Sequence, residues 1–265
     1  MRRFNLRKIL QKRSFDRKNI LFIVGSQRSG TTLMLQIFGS DPNAKIYGEF
    51  SELSSHGANK IRLNPLPLVK KEIQSNEKTF IVLKPLVESQ NVLVLLKYFR
   101  HSKALWMYRD YRDSALSYVK YFGIECGVKD LRPIVKNQVK NWRAEKVPEK
   151  SKEIVLRYFS EDMNPYDAAV LFWYVRNSHF FELGLDKNPN VLMCRYRDLV
   201  TSPSTVVSEI YKELHQDYQE PKLMKTIHAK SLSRGFELEL SPEIETLAEA
   251  MLEKLDRAYQ AKKFG

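Results

Sequence analysis

The residues with the clearest chemical purpose lie in Gly25-Ser-Gln-Arg-Ser-Gly-Thr-Thr32, directly after an apolar run at 20–24. Two glycines at this spacing let a backbone turn tightly and aim its N–H groups inward, and residues 33–38 read as a helix whose N-terminus faces the concavity. A buried strand, a glycine-framed loop and a helix make a cradle for an anion. Arg28 places a cation inside it. Farther on, Arg109 closes the apolar run 103–108, and Ser117 follows in what reads as the next helix. An arginine at a strand end and a serine a turn or more into the following helix can converge on one phosphate from two sides. Glu49 and Lys84 end two further short runs, at the sheet edge where ligands bind in open α/β folds.

The elements that must carry these groups follow from the hydrophobic pattern. Short branched or apolar runs at 20–24, 45–50, 79–84, 103–108 and 190–196 predict strands. Helices are expected over 31–39, 65–74, 88–100, 130–145, 162–185, 203–214 and 242–259, with Asp41-Pro42-Asn43 stopping the first and Ser202-Pro203 starting the sixth. This alternation predicts an α/β fold of three layers, a central, mostly parallel sheet flanked by helices. The aromatic residues of 162–185 read as core, and His179 among them has no identifiable partner. Two polar, glycine-containing loops, 51–64 and 231–235, are left to border the site.

The chain has 265 residues and a formal net charge of +13, from 44 Lys and Arg against 31 Asp and Glu. That field favours an anionic partner: nucleic acid, an acidic membrane surface or a small polyanion. The basic residues are spread along the chain, which argues against nucleic acid. The exception is the cluster Arg2, Arg3, Arg7, Lys8, Lys12, Arg13, Arg17, Lys18, read as a basic arm over 1–19 ahead of one domain over 20–265. Cys126 and Cys194 lie far apart without metal-type spacing, which points to a reducing compartment and no structural disulfide. No apolar run is long enough to span a membrane, and the charged N-terminus lacks the apolar stretch of a secretory signal. A cytoplasmic location is expected.

The glycine spacing is that of the P-loop, but Thr31 stands where its lysine belongs, which argues against ordinary nucleotide triphosphate hydrolysis. The run Gln27-Arg-Ser-Gly-Thr-Thr32 resembles the 5′-phosphosulfate loop of sulfotransferases, above all the PRSGTT loop of the tyrosylprotein enzymes. Residues 109–117, RDYRDSALS, resemble that family's 3′-phosphate site, R-N/D-P-x-D-x-x-x-S, with Tyr111 replacing the proline. The segment from Tyr196 resembles its Y-E-D-L-x-x-x-P stretch, with Arg197 replacing the glutamate. The resemblance spans roughly residues 20–260.

What the resemblance implies is a P-loop-like fold and a donor, 3′-phosphoadenosine 5′-phosphosulfate, that leaves as adenosine 3′,5′-bisphosphate without help from a metal. It assigns Arg28, Ser29, Gly30, Thr31 and Thr32 to the phosphosulfate and Lys84 to the bridging oxygen or 5′-phosphate. Arg109 and Ser117 take the 3′-phosphate, Tyr196 the adenosine, and Ser233 and Arg234 a loop closing over the donor. Glu49 matches the catalytic glutamate of the tyrosylprotein and heparan-type enzymes, with Glu52 as a local competitor. The cytosolic steroid and phenol enzymes follow their lysine with Thr-His, but Pro85-Leu86 stands here, so the histidine mechanism lacks its residue. The acceptor is expected to carry a hydroxyl, on a carbohydrate, lipid, peptide or small natural product. Two other readings stay open: an atypical P-loop kinase or NTPase dependent on magnesium, and a nucleotide-binding module without catalysis.

Overall fold

A computed structural model describes residues 18–55, 60–220 and 222–263. Five strands, β1 (Asn19–Gly25), β2 (Ala44–Tyr47), β3 (Phe80–Leu83), β4 (Ser102–Tyr108) and β5 (Val191–Arg195), form one sheet in the order β2-β3-β1-β4-β5. Every neighbouring pair is parallel. The chain moves out from β1 on one side through β2 and β3, then crosses to β4 on the other. That reversal leaves a crevice beyond the carboxyl ends of β1 and β4, the place where open α/β sheets bind ligands.

Successive strand side chains point to opposite faces, so β1 is buried on both. Leu21 and Ile23 join a core with Val82, Leu105 and Met107 beneath α1 (Thr31–Gly39) and residues Val206, Val207, Ile210 and Tyr211 of a late helix. Phe22 and Val24 join the opposite core with Trp106, Tyr108, Phe172 and Phe180. The remaining helices are α2 (Leu66–Ser75), α3 (Val92–Tyr98), α4 (Tyr111–Phe122), α5 (Cys126–Val135), α6 (Glu149–Tyr158), α7 (Pro165–Glu182), α8 (Tyr196–Thr201), α9 (Pro203–Glu213) and α10 (Pro242–Lys263). Asn164 accepts a hydrogen bond from the Tyr166 N–H at 2.8 Å and Pro165 follows it, a strong start signal for α7. From Asp167 to Phe180 that helix is buried on all sides: the apolar and aromatic run Ala168 to Val175 packs into the core, and Asp167, Arg176, Asn177, Ser178 and His179 are buried with it. The three layers expected from the alternation are present. None of the described helices is long and apolar enough to cross a membrane.

Several boundaries differ from the sequence expectation. The strand expected to reach residue 50 stops at Tyr47: Lys84 N–H donates to Tyr47 O at 2.9 Å as the last bond along that edge, and Glu49 lies in the turn beyond. The helix expected over 130–145 is instead α5, which ends ten residues earlier. Asn137 adopts a left-handed conformation (φ 51°) and Gln138 N–H returns to Pro133 O at 2.8 Å, a closure that ends the helix whatever apolar pattern follows. Residues 88–100 divide into a 3-10 turn, Leu86–Asn91, and the short α3. Tyr196, expected to end a strand, begins α8, and the terminal helix continues past Tyr259 to Lys263.

The basic arm also ends sooner. Lys18 is buried, with Nζ donating to Asn76 O at 2.5 Å and Lys78 O at 2.6 Å, and Asn19 already belongs to β1. The rest of the arm lies outside the described residues, as do residues 56–59 of the loop 51–64. Both cysteines are free thiols.

Candidate active site

The loop after β1 is shaped by two close approaches. Gly25 has φ 131°, and a Cβ there would sit 2.2 Å from the Met107 carbonyl oxygen, so the strand edge can turn away from β4 only without a side chain. Gly30 has φ 87°, and a Cβ would meet the Tyr196 ring at 2.3 Å. Between them Arg28 is also left-handed, at φ 63°, and the Ser26 and Ser29 hydroxyls lie 2.6 Å apart. No side chain caps α1. The first-turn N–H groups of a helix have no intrahelical acceptor, so the loop concavity faces free donors and the positive end of the helix dipole.

Lys84 and Glu49 come together at the ends of β3 and β2. Lys84 Nζ is 2.6 Å from Glu49 Oε2 and donates to Thr32 Oγ1 at 2.9 Å. The lysine side chain is 8% exposed and the glutamate 20%. A carboxylate, an ammonium and the first turn of α1 therefore share one small volume, with Thr32 itself exposed while Ser29 and Thr31 are buried. Glu52 lies outside that volume: its carboxylate approaches Lys45 Nζ at 4.0 Å and its side chain is 55% exposed.

The second motif meets the first directly. Arg28 Nε donates to Ser117 Oγ at 3.1 Å, and Arg109 Nη1 reaches Arg28 O at 3.5 Å. The Arg28 guanidinium lies 4.2 Å from the Tyr121 ring centroid, and that of Arg109 lies 4.3 Å from the centroid of Tyr196, both within cation–π range. Burial pushes the Arg28 pKa below its ordinary value, opposed by Tyr121 and assisted by the neighbouring Arg109 charge. The two positive charges repel, which is the Arg109 contribution to that shift. Arg109 Nε is buried and has no hydrogen-bond partner. A buried unpaired N–H is costly, and the same guanidinium has Asp113 Oδ2 3.7 Å from Nη2. Arg109 and Ser233 also border an open cleft of about 110 Å³, walled by Arg195, Arg197, Phe236 and Asp256.

The late loop reaches this site mainly through its backbone. Arg109 Nη2 donates to Ser231 O at 2.7 Å, and the Tyr196 and Ser231 hydroxyls are 2.7 Å apart. Asp113 accepts from the N–H groups of Ser233 (3.0 Å), Arg234 (2.8 Å) and Gly235 (3.0 Å), pinning the loop to the first turn of α4. The side chains of Ser233 and Arg234 are exposed, and Ser231 is the loop residue in contact with Arg109 and Tyr196. Ser231, Asp113 and Trp173, whose Nε1–H donates to Arg109 O at 3.1 Å, escaped the sequence reading. Asp113 had a signal: it occupies the aspartate place of the R-N/D-P-x-D pattern. Ser231 opens the loop 231–235 expected to border the site, while Trp173 had no signal beyond its place among core aromatics, because its contact depends on distant segments meeting.

The Sulfotransferase domain family matches residues 18–254, and the chain belongs to that family. Among solved structures it resembles the sulfotransferase domain from the curacin biosynthetic pathway (15% identity, TM-score 0.58, covering 90% of this chain and 98% of that one). It also resembles the sulfotransferase domain from the Synechococcus PCC 7002 olefin synthase (18%, 0.51, 89% and 96%) and a sulfotransferase from Alicyclobacillus acidocaldarius (14%, 0.53, 92% and 95%). At these identities the likeness establishes the shared fold, which is P-loop-like. No curated protein matches the sequence.

Proposed function

We propose that the protein transfers a sulfuryl group from 3′-phosphoadenosine 5′-phosphosulfate to an acceptor hydroxyl, with Glu49 as general base. The observation that carries this reading is Lys84 Nζ, held between Thr32 Oγ1 at 2.9 Å and Glu49 Oε2 at 2.6 Å at the open end of α1. A phosphosulfate lying on the α1 N-terminus has its sulfur beside both the cation and the carboxylate.

In the reaction the acceptor oxygen forms a bond to sulfur while the bond from sulfur to the 5′-phosphate oxygen breaks. The electron pair stays on the departing phosphate, and the acceptor proton passes to the Glu49 carboxylate. Negative charge builds on the departing oxygen, so Lys84, Arg28 and the amides of Ser29 to Thr32 stabilise the transition state more than the ground state. A positioned base contributes a factor of about 10²–10⁴. Glu49 is favoured over Glu52 because it alone of the two meets Lys84.

Donor identity rests on the second motif. Arg109 and Ser117 take the 3′-phosphate. Tyr196 contacts the adenosine, and the loop with Ser233 and Arg234 closes over it. The acceptor hydroxyl belongs to a carbohydrate, lipid, peptide or small natural product. Transfer of radiolabelled sulfate from the donor to a panel of such acceptors, run in a metal chelator, tests the reading. Label on an acceptor, lost in Glu49→Gln, is the expected result; consumption of ATP with magnesium and no sulfate transfer overturns it.

A further inference from the structure

Glu49 and Lys84 lie just past the two shortest strands, and an ion pair joins Glu88, four residues after Lys84, to Arg62, thirteen residues after Glu49. Arg62, on the segment returning from Glu49, presents its guanidinium edge-on to Glu88, in the 3-10 turn just after Lys84. Nε donates to Oε1 at 2.5 Å and Nη2 to Oε2 at 2.9 Å. The Leu63 N–H adds a bond to Glu88 Oε1 at 3.3 Å. Asn64 closes the segment back on itself, its N–H donating to Leu53 O at 2.8 Å and its Nδ2 to Glu52 O at 3.0 Å.

The pair does not stand alone. Arg62 Nη2 lies 3.0 Å from Glu145, whose carboxylate also accepts from Gln90 Nε2 at 2.8 Å and Asn91 Nδ2 at 3.2 Å. Beneath them the fully buried Arg176 of α7 donates to Gln90 Oε1 at 3.1 Å and to Leu86 O at 3.2 Å. The turn after Lys84 is thus bolted to the core helix below and to the Glu49 segment beside it. A buried ion pair adds little net stability over apolar residues of similar volume, whereas its bidentate geometry admits one arrangement.

We infer that Arg62 and Glu88 are positioning residues for sulfuryl transfer: the bidentate pair holds residues 62–64, which Asn64 ties to Glu52 and Leu53 beside Glu49, onto the turn leaving Lys84, and so sets the separation of base and cation. The inference rests on the roles assigned to Glu49 and Lys84 above. It explains why a charged cluster of this size lies half-buried beside strands of four residues each, which by themselves hold their tips with few ladder bonds.

The test uses the full chain carrying Arg62→Met, Arg62→Lys or Glu88→Gln. Brief acetylation followed by peptide mass spectrometry reads the reactivity of Lys84, and sulfate release from the donor, to an acceptor or to water, reads turnover. Arg62→Met and Glu88→Gln are expected to raise Lys84 acetylation severalfold and to lower kcat by about tenfold or more, since small misplacements of reacting groups are costly. The lysine variant, which keeps the charge but not the fork, falls between. Binding of adenosine 3′,5′-bisphosphate, which the glycine loop and Arg109 also hold, falls by less than kcat does. Lower melting temperatures with unchanged Lys84 acetylation and unchanged kcat would reduce the cluster to a structural role and overturn the inference. If Arg62→Met does not fold, Glu88→Gln, which keeps volume and hydrogen-bonding capacity, decides on the same readouts. A Glu49→Gln enzyme as active as wild type defeats the general-base reading instead, and the acetylation result is independent of it.

Discussion

Arg28 Nε and Ser117 Oγ are 3.1 Å apart although 89 positions separate them in the chain. The bond joins the loop after β1 to the helix after β4, so the two sequence motifs form one surface. Arg109 completes the junction by reaching the Arg28 carbonyl with one amino group and Ser231 with the other. One ligand with an anionic group at each end can therefore engage both motifs at once.

Replacing Arg109 by alanine removes the guanidinium assigned to the 3′-phosphate. Charge-assisted hydrogen bonds contribute about 1.5–3 kcal/mol each, so calorimetry should find adenosine 3′,5′-bisphosphate bound roughly 10- to 100-fold more weakly. Adenosine 5′-phosphosulfate, which lacks the 3′-phosphate, should bind the variant and wild type alike. Equal losses for both ligands would place Arg109 elsewhere on the nucleotide.

Glu49→Gln keeps the side-chain volume and removes the proton acceptor. Turnover should fall by about 100-fold or more while affinity for the bisphosphate holds. The comparison is between steady-state kcat and a calorimetric Kd on the same preparation. A matching loss at Glu52→Gln, with Glu49→Gln unaffected, would reverse the assignment.

Gly30→Ala sets a methyl group against the Tyr196 ring, at a backbone conformation that side chains rarely adopt. Strain of this kind costs about 1–3 kcal/mol. Both the melting temperature and bisphosphate affinity should drop, because the loop and the tyrosine must part. An unchanged melting temperature would mean that Tyr196 does not rest on the loop.

Asp113→Ala removes the acceptor for three backbone N–H groups of the late loop. Trypsin should then cut faster after the exposed Arg234 than in wild type, with cleavage followed by mass spectrometry. Bisphosphate should slow that cleavage if the loop closes over the donor.

His179 supplies a dependence of stability on pH. Burial lowers its pKa from 6.5 to about 3, and neither ring nitrogen has a hydrogen-bond partner. The native imidazole is neutral where the unfolded one takes a proton. Its contribution is therefore intact above the unfolded value of 6.5 and lost progressively as pH falls toward 3. Within that window the slope is about 1.4 kcal/mol per pH unit. Urea unfolding of wild type and His179→Phe at pH 5 and pH 7 should give a difference that narrows or reverses at the lower pH.

The local chemistry of this protein was readable in one dimension. Gly25 and Gly30 frame a loop that needs backbone freedom, the apolar runs mark the strands, and Arg109 with Ser117 sits at a spacing a helix turn makes meaningful. These are short-range signals, set by bond geometry and by what water excludes. The missed boundaries had competing local causes: Asn137 turning left-handed ended a helix that periodicity extended, and the last ladder bond at Tyr47 left Glu49 in a turn rather than a strand.

Tertiary structure alone decided which side chains face one another. Nothing near Glu49 in the chain announces Lys84, and nothing near Lys84 announces that Arg62 pairs with Glu88. Ser231 takes the place beside Arg109 and Tyr196 through its position on a loop that Asp113 holds, while Ser233 and Arg234 contribute their backbones to the same aspartate. The order of the strands brings these segments together, and strand order depends on how two cores close around the sheet. That closure is a property of packing over the whole chain, which residue spacing along the sequence does not encode.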